Sequence, residues 1–203
     1  TGRANLFATA AGIVSFDGDA VHRLNLIDES ITIATLRDGE RVDAGQMIAT
    51  VKIIPFAVAR SIVADAVAAA AHSRLSVAAF SPRRAGLVLT KLPATKASVL
   101  EKRERVIRDR LAAMGSGIGE TLTVPHDTGA VADALRSLHA KGSAPLMVFA
   151  ASAIVDRSDV IGAGIVAAGG RLERLGMPVD PGNLLLIGEL KGVPAIGIPS
   201  CAA

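Results

Sequence analysis

The 203-residue chain is 50% apolar but only 2% aromatic, with no Trp or Tyr. Its core is therefore built from Val, Ile, Leu and Ala, and it lacks the ring platforms on which single-stranded nucleic acid stacks. A formal charge of +3 is mild, one cysteine (Cys201) excludes an internal disulfide framework and suits a reducing cytoplasm, and no apolar run is long enough to span a bilayer.

The length allows one large domain or two small ones. Thr1 is not a natural start and no signal-peptide pattern follows it, so the chain reads as an excised piece, with its end shortly after Ser200 a possible truncation. Residues 30–36 (SITIATL) predict a strand of β-branched residues, 37–40 a turn, and 45–56 a second strand broken at Pro55. Residues 57–71 are rich in Ala and Val and predict a helix. The stretch VDAGQMIATV resembles a lipoyl-type half-barrel but has no Lys at a hairpin tip, so it is read as structural. Residues 1–80 are expected to form a small β-rich accessory unit ending in that helix.

From residue 81 the pattern alternates. Residues 85–90 (AGLVLT) predict a short apolar strand, and residues 98–114 place apolar side chains at helical spacing. Gly115, Gly117 and Gly119 are read as ending that helix, with a strand at 121–124. Thr128 is the expected N-cap of a helix that stops at Gly142. A buried strand follows at 145–150 (PLMVFA), then a helix capped by Ser158 or Asp159 and running to about residue 168. Strands at 172–177, 184–190 and 193–198 close the chain, the last two as a hairpin across Lys191-Gly192. The alternation predicts an α/β fold in three layers, a mostly parallel sheet with helices on both faces, over residues 81–203.

Ligands of such sheets bind beyond the carboxyl ends of the strands. That rule selects the loops after Thr90, Val124, Ala150 and Ile198; the turn before Leu184 joins them only if the following strand runs antiparallel. In one of these loops Asp156 and Asp159 stand before a helix, where an acidic residue either caps the free N–H groups or, with Mg²⁺, bridges them to a phosphate. In the turn Asp180-Pro181-Gly182-Asn183, Pro181 and Gly182 suit a type II turn, while Asp180 and Asn183 offer an acceptor and an amide to a heterocycle. The close Gly197-Ile198-Pro199-Ser200 lets backbone approach a ligand. The basic stretch at 83–110 is either a solvated helix face, with pairs such as Glu101 with Arg105 and Glu104 with Arg108, or a field that draws an anionic small molecule. The four histidines show no metal-ligand spacing and are read as surface or core residues.

Together VFAASAIVDRSDVI and MPVDPGNLLLIGELKGVPAIGIPS resemble the molybdopterin-binding domain of molybdopterin adenylyltransferases and molybdenum-insertion enzymes, over roughly residues 83–200. ASAIVDR and MPVDPGN look like a branch that often accompanies a molybdenum cofactor nucleotidyltransferase, a possible partner. The resemblance implies a Rossmann-like, cytoplasmic, self-associating protein that binds molybdopterin, with Mg²⁺ possible. It puts Thr90, Lys96, Ala150, Ala151 and Ser152 on the phosphate side, and Asp180, Pro181, Gly182, Asn183, Pro199 and Ser200 around the pterin. Asp156 and Asp159 become metal ligands, with Asp159 catalytic if the protein is an enzyme of adenylyl or metal transfer. Ala151 and Ser152 replace two glycines of the family pattern, and Lys96 stands where relatives carry an acidic pair. Those departures favour an alternative, a non-catalytic carrier or assembly module, and a nucleotide pyrophosphatase of the competence-damage type is a third reading.

Overall fold

The structure, a computed structural model, describes residues 2–180 and 182–202. The chain divides into two compact units, residues 1–80 and 81–203.

In the first unit, β1 (Arg3–Phe7), β2 (Gly12–Ser15), α1 (Gly18–Asn25), β3 (Ile31–Thr35), β4 (Arg41–Val42), β5 (Met47–Ile53), α2 (Arg60–Ala70) and β6 (Ser76–Ala79) follow in order. They make two three-stranded antiparallel sheets, β1-β5-β3 and β4-β2-β6. The two expected strands are β3 and β5, paired with Ile33 opposite Val51. Strand β5 stops at Ile53, ahead of Pro55, and α2 starts at Arg60. Sequence reasoning missed β1, β2, α1, β4 and β6. All five residues of β1 are exposed, so its side chains carry no apolar alternation to read. Helix α1 is announced only by Asp17, whose carboxylate accepts the Ala20 N–H at 2.9 Å.

The second unit contains β7 (Arg84–Lys91), α3 (Ala97–Ala112), β8 (Gly117–Pro125), α4 (Thr128–Ala140), β9 (Leu146–Phe149), α5 (Val160–Ala167), β10 (Arg171–Leu175), β11 (Leu186–Leu190) and β12 (Val193–Ile198), then a 3-10 turn at Ser200–Ala202. Its six strands form a mostly parallel sheet in the order β10-β11-β12-β9-β7-β8. Strands β12, β9, β7 and β8 are parallel, whereas β11 runs against both neighbours. Leu186, at the start of β11, therefore faces Gly197, near the end of β12. That reversal brings the turn before β11 to the carboxyl rim. Lys191 and Gly192 both take positive φ, +50° and +83°, the twist a two-residue hairpin needs.

Period-two alternation sorts the strand side chains into two clusters. Leu87 and Leu89 pack with Phe149 and with Ile107 and Leu111 of α3. Val88 and Val148 pack with Val131 and Leu135 of α4 and Ile161 and Ile165 of α5. Gly164 lets α4 and α5 touch, since a Cβ there would lie 2.6 Å from Val131 Cγ1.

Two local expectations are corrected. Gly117 and Gly119 lie inside β8, and it is Gly115, at φ +68°, that turns the chain out of α3. The N-cap of α4 is Asp127 and not Thr128: Asp127 has the extended backbone of a cap, and its carboxylate accepts the Ala130 N–H at 3.0 Å.

Candidate functional site

Strands β7, β8, β9 and β12 finish along one edge, and hydrogen bonds tie the segments that follow them together. His126 N–H donates to Lys91 O at 2.9 Å, Ala150 N–H to Ile198 O at 2.8 Å, and Ser200 N–H to Ser152 O at 3.2 Å. A parallel sheet collects chain reversals in this way because every strand end of one kind lies at one edge.

At its centre stands a residue that sequence reasoning set aside. His126, half-buried, places Nδ1 3.0 Å from Thr90 Oγ1 and Nε2 3.0 Å from Ser152 Oγ. Thr90 is fully buried, and its hydroxyl oxygen also accepts the Ala151 N–H at 2.7 Å and lies 3.2 Å from Phe149 O. Burial lowers the His126 pKa and the nearby Asp159 carboxylate partly offsets that, so the neutral imidazole is favoured at neutral pH. To the reading of His126 as a surface or core residue the structure adds its bonds to Thr90 and Ser152. A usable signal was present, since the rim rule had selected the loop after Val124.

The segment 152–159 carries the two carboxylates. Asp159 occupies the N-cap position of α5 yet gives that helix no side-chain cap. Instead its Oδ2 folds back to accept the N–H groups of Val155 and Asp156. Asp156 Oδ1 accepts both the N–H and the hydroxyl of Ser158 at 2.6 Å. Those bonds, the hydroxyl first, hold its pKa below the usual carboxylate range. Arg157 anchors the loop by donating to Leu172 O and Glu173 O, both at 3.3 Å. Asp159 Oδ1 accepts no hydrogen bond among the described residues, whereas the Asp159 N–H acts on the Asp156 carboxylate along with Ser158. This donor set fits Mg²⁺, which takes one or two carboxylates and completes its shell with water and phosphate oxygens. Among the described residues there is no cluster of three or more His, Cys, Asp or Glu side chains able to hold a metal.

On the α3 side of the sheet a cleft of about 490 Å³ is walled by Met147, Gly182, Leu185, Ile198 and Pro199, with Arg110 at its edge. Gly182 has φ +119°, a conformation that side chains oppose. Asp180 and Asn183 are exposed, and Asn183 O accepts the Met177 N–H at 3.1 Å. Pro181 lies outside the described residues. The cleft and the His126 cluster adjoin through Pro199 and Ser200, because Ser200 is bonded to Ser152. Ala150 is buried behind them. Lys96 is the N-cap of α3, exposed, with no bond to Thr90, His126 or Ser152. Of the basic stretch, Glu104 pairs with Arg108, while Arg103 is buried with its guanidinium 5.0 Å from the centre of the Phe149 ring. Among the described residues Arg103 Nε and Nη1 have no hydrogen-bond partner.

No protein-family model matches the chain, and no curated protein does. Among solved structures it is similar to the protein CinA with unknown function from Thermoplasma acidophilum, at 12% identity and a TM-score of 0.44, over 59% of this chain and 89% of that one. It is also similar to the molybdopterin biosynthesis moea protein from Pyrococcus horikosii, at 13% identity and a TM-score of 0.44, over 97% of this chain and 66% of that one. A further moeA structure, from Pyrococcus horikoshii OT3, aligns at 13% identity and a TM-score of 0.35, over 78% of this chain and 38% of that one. Among the described residues no helix is long and apolar enough to cross a membrane.

Proposed function

We propose that the second unit binds molybdopterin, or its nucleotide-activated form, during molybdenum cofactor assembly in the cytoplasm. The observation that carries this reading is that the two stretches behind the sequence resemblance lie together: Ser200 is bonded to Ser152, and Gly182 and Pro199 wall one cleft. In this reading the fold is a three-layer α/β sandwich. The pterin lies in the cleft against Leu185 and Pro199, with Asp180 and Asn183 at its polar edge. The phosphate meets the Ser152 hydroxyl and the loop backbone at 150–152, near Thr90, with Lys96 supplying outer positive charge. The carboxylates of Asp156 and Asp159 would hold Mg²⁺, which would neutralise the phosphate charge.

The glycine departures are compatible with this role. Arg74 and Lys191 are the non-glycine residues with positive φ among those described, so Ala151 and Ser152 sit on ordinary backbone where a Cβ costs no strain. Relatives' habit of self-association and a molybdenum cofactor nucleotidyltransferase as partner extend the same proposal.

Titrating molybdopterin into the protein tests it. A ligand that binds only the folded state stabilises it by about 2.7 kcal/mol at a hundred times its Kd, so the melting temperature should climb, and Asp159→Ala should blunt the rise. An unmoved melting temperature at saturating molybdopterin rejects the site.

A further inference from the structure

The three side chains Thr90, His126 and Ser152 form a hydrogen-bonded relay whose chemistry is separate from holding a pterin. We propose that Ser152 is a nucleophile, with His126 as its general base and Thr90 as a positioning residue, and that it accepts the acyl group of a small, uncharged carboxylic ester.

The hydrogen bonds assign the protons. Thr90 Oγ1 has one hydrogen and two lone pairs. It accepts the Ala151 N–H at 2.7 Å, and its own O–H is directed to Phe149 O at 3.2 Å. The remaining lone pair faces His126 Nδ1 at 3.0 Å, so Nδ1 carries the ring proton. The lone pair of Nε2 is then left for the Ser152 hydroxyl, 3.0 Å away and nearer than its competing acceptor Ala153 O at 3.2 Å, within the distance a general base needs. Thr90 cannot rotate freely, being fully buried, and thereby fixes both the tautomer and the ring plane. It occupies the orienting place that a carboxylate holds in better-known nucleophile-base-orienter triads. A neutral hydroxyl cannot stabilise the imidazolium by charge, and the nearby Asp159 carboxylate supplies that stabilisation.

The surroundings choose the electrophile. Asp156 and Asp159, both at this loop, repel an anionic ester that comes without a cation. Beside the base, a cleft of about 240 Å³ is lined by Lys91, Leu92, Pro93, Thr95 and Pro125. It adjoins His126 directly, since Pro125 precedes it and Lys91 O accepts its N–H. Such a cleft holds a short acyl chain. The N–H groups of Ser152 and Ala153 have no acceptor among the described residues and are the donors available to the oxyanion.

In the first half-reaction Ser152 Oγ bonds to the ester carbon while its proton passes to Nε2. The carbon–alkoxy bond then breaks, and the Nε2 proton leaves with the alkoxide as an alcohol. In the second, water attacks the acyl carbon and yields a proton to Nε2. The Oγ–carbon bond breaks, Oγ regains that proton, and a carboxylic acid departs.

The full chain, treated with an uncharged alkyl fluorophosphonate and weighed intact, should gain one adduct that maps to Ser152 and is absent from Ser152→Ala. His126→Gln should slow labelling by about 100-fold or more. Thr90→Ser should keep the rate within a few fold and Thr90→Val should not, with melting temperatures showing that all variants fold. The protein should also cleave p-nitrophenyl butyrate and leave p-nitrophenyl phosphate intact. No adduct, an adduct on another serine, or an unchanged rate in His126→Gln overturns the nucleophile; equal loss in both Thr90 variants overturns its positioning role; cleavage of the phosphate ester alone overturns the acyl class.

Discussion

The two units bury apolar surface in different ways. In the second, six consecutive residues of β7, from Ala85 to Thr90, are buried, and the faces of the strand feed two separate clusters. In the first, β1 is exposed along its whole length, Phe7 is 54% exposed and Phe56 is 99% exposed. Among the described residues its two small clusters hold four buried residues each. The contrast shows what supports the candidate site in the second unit. Antiparallel strands send their ends alternately to both edges of a sheet, whereas parallel strands deliver theirs to one, above a packed support. A positioned relay such as Thr90–His126–Ser152 needs that rigid backing.

The contrast can be broken by mutation, most severely in the second unit. Leu135→Ala, which empties a site with no solvent exposure, should cost about 2–5 kcal/mol, read as a lower urea midpoint by far-UV circular dichroism because the chain has no Trp or Tyr. Arg103→Met should do the reverse. It removes two buried nitrogens without partners among the described residues, whose desolvation costs about 1–3 kcal/mol, so the midpoint should rise; a lower midpoint would show that the contact with the Phe149 ring is worth more than that cost.

A smaller effect follows from His126. Its folded pKa is lowered from an unfolded value near 6.5, so the folded state binds fewer protons in that window. Stability should be level above about pH 6.5 and decline as pH falls through the folded pKa. Midpoints measured from pH 5 to pH 8 should show this slope, and His126→Gln should flatten it. The smallest change belongs to the first unit, where Phe56→Ser should move the midpoint by no more than about 0.5 kcal/mol. A large loss there would show that Phe56 is covered in solution.

The alternation of apolar runs was enough to find β7, β9, β11, β12 and the helices between the parallel strands, because strands in the interior of a covered sheet are apolar on both faces and stand out from their loops. The first unit was read poorly for the opposite reason: β1 and β6 are short, exposed strands without a one-sided pattern. Within the site, Asp156, Asp159 and the Gly182 turn were legible as local chemistry. His126 was not. Its ring carries no signature in PHDT, and its meaning comes from Thr90 and Ser152, 36 and 26 residues away.

By itself the sequence determined the alternating α/β plan, the glycine at position 182 and the rim on which to search, since each follows from local periodicity or from the φ angles a residue allows. Only the tertiary structure decided that β11 runs backwards, that Asp159 turns its carboxylate away from its own helix, and that a histidine bridges a buried threonine to an exposed serine. Hydrogen bonds between distant segments depend on distances that a chain acquires only once its strands have paired.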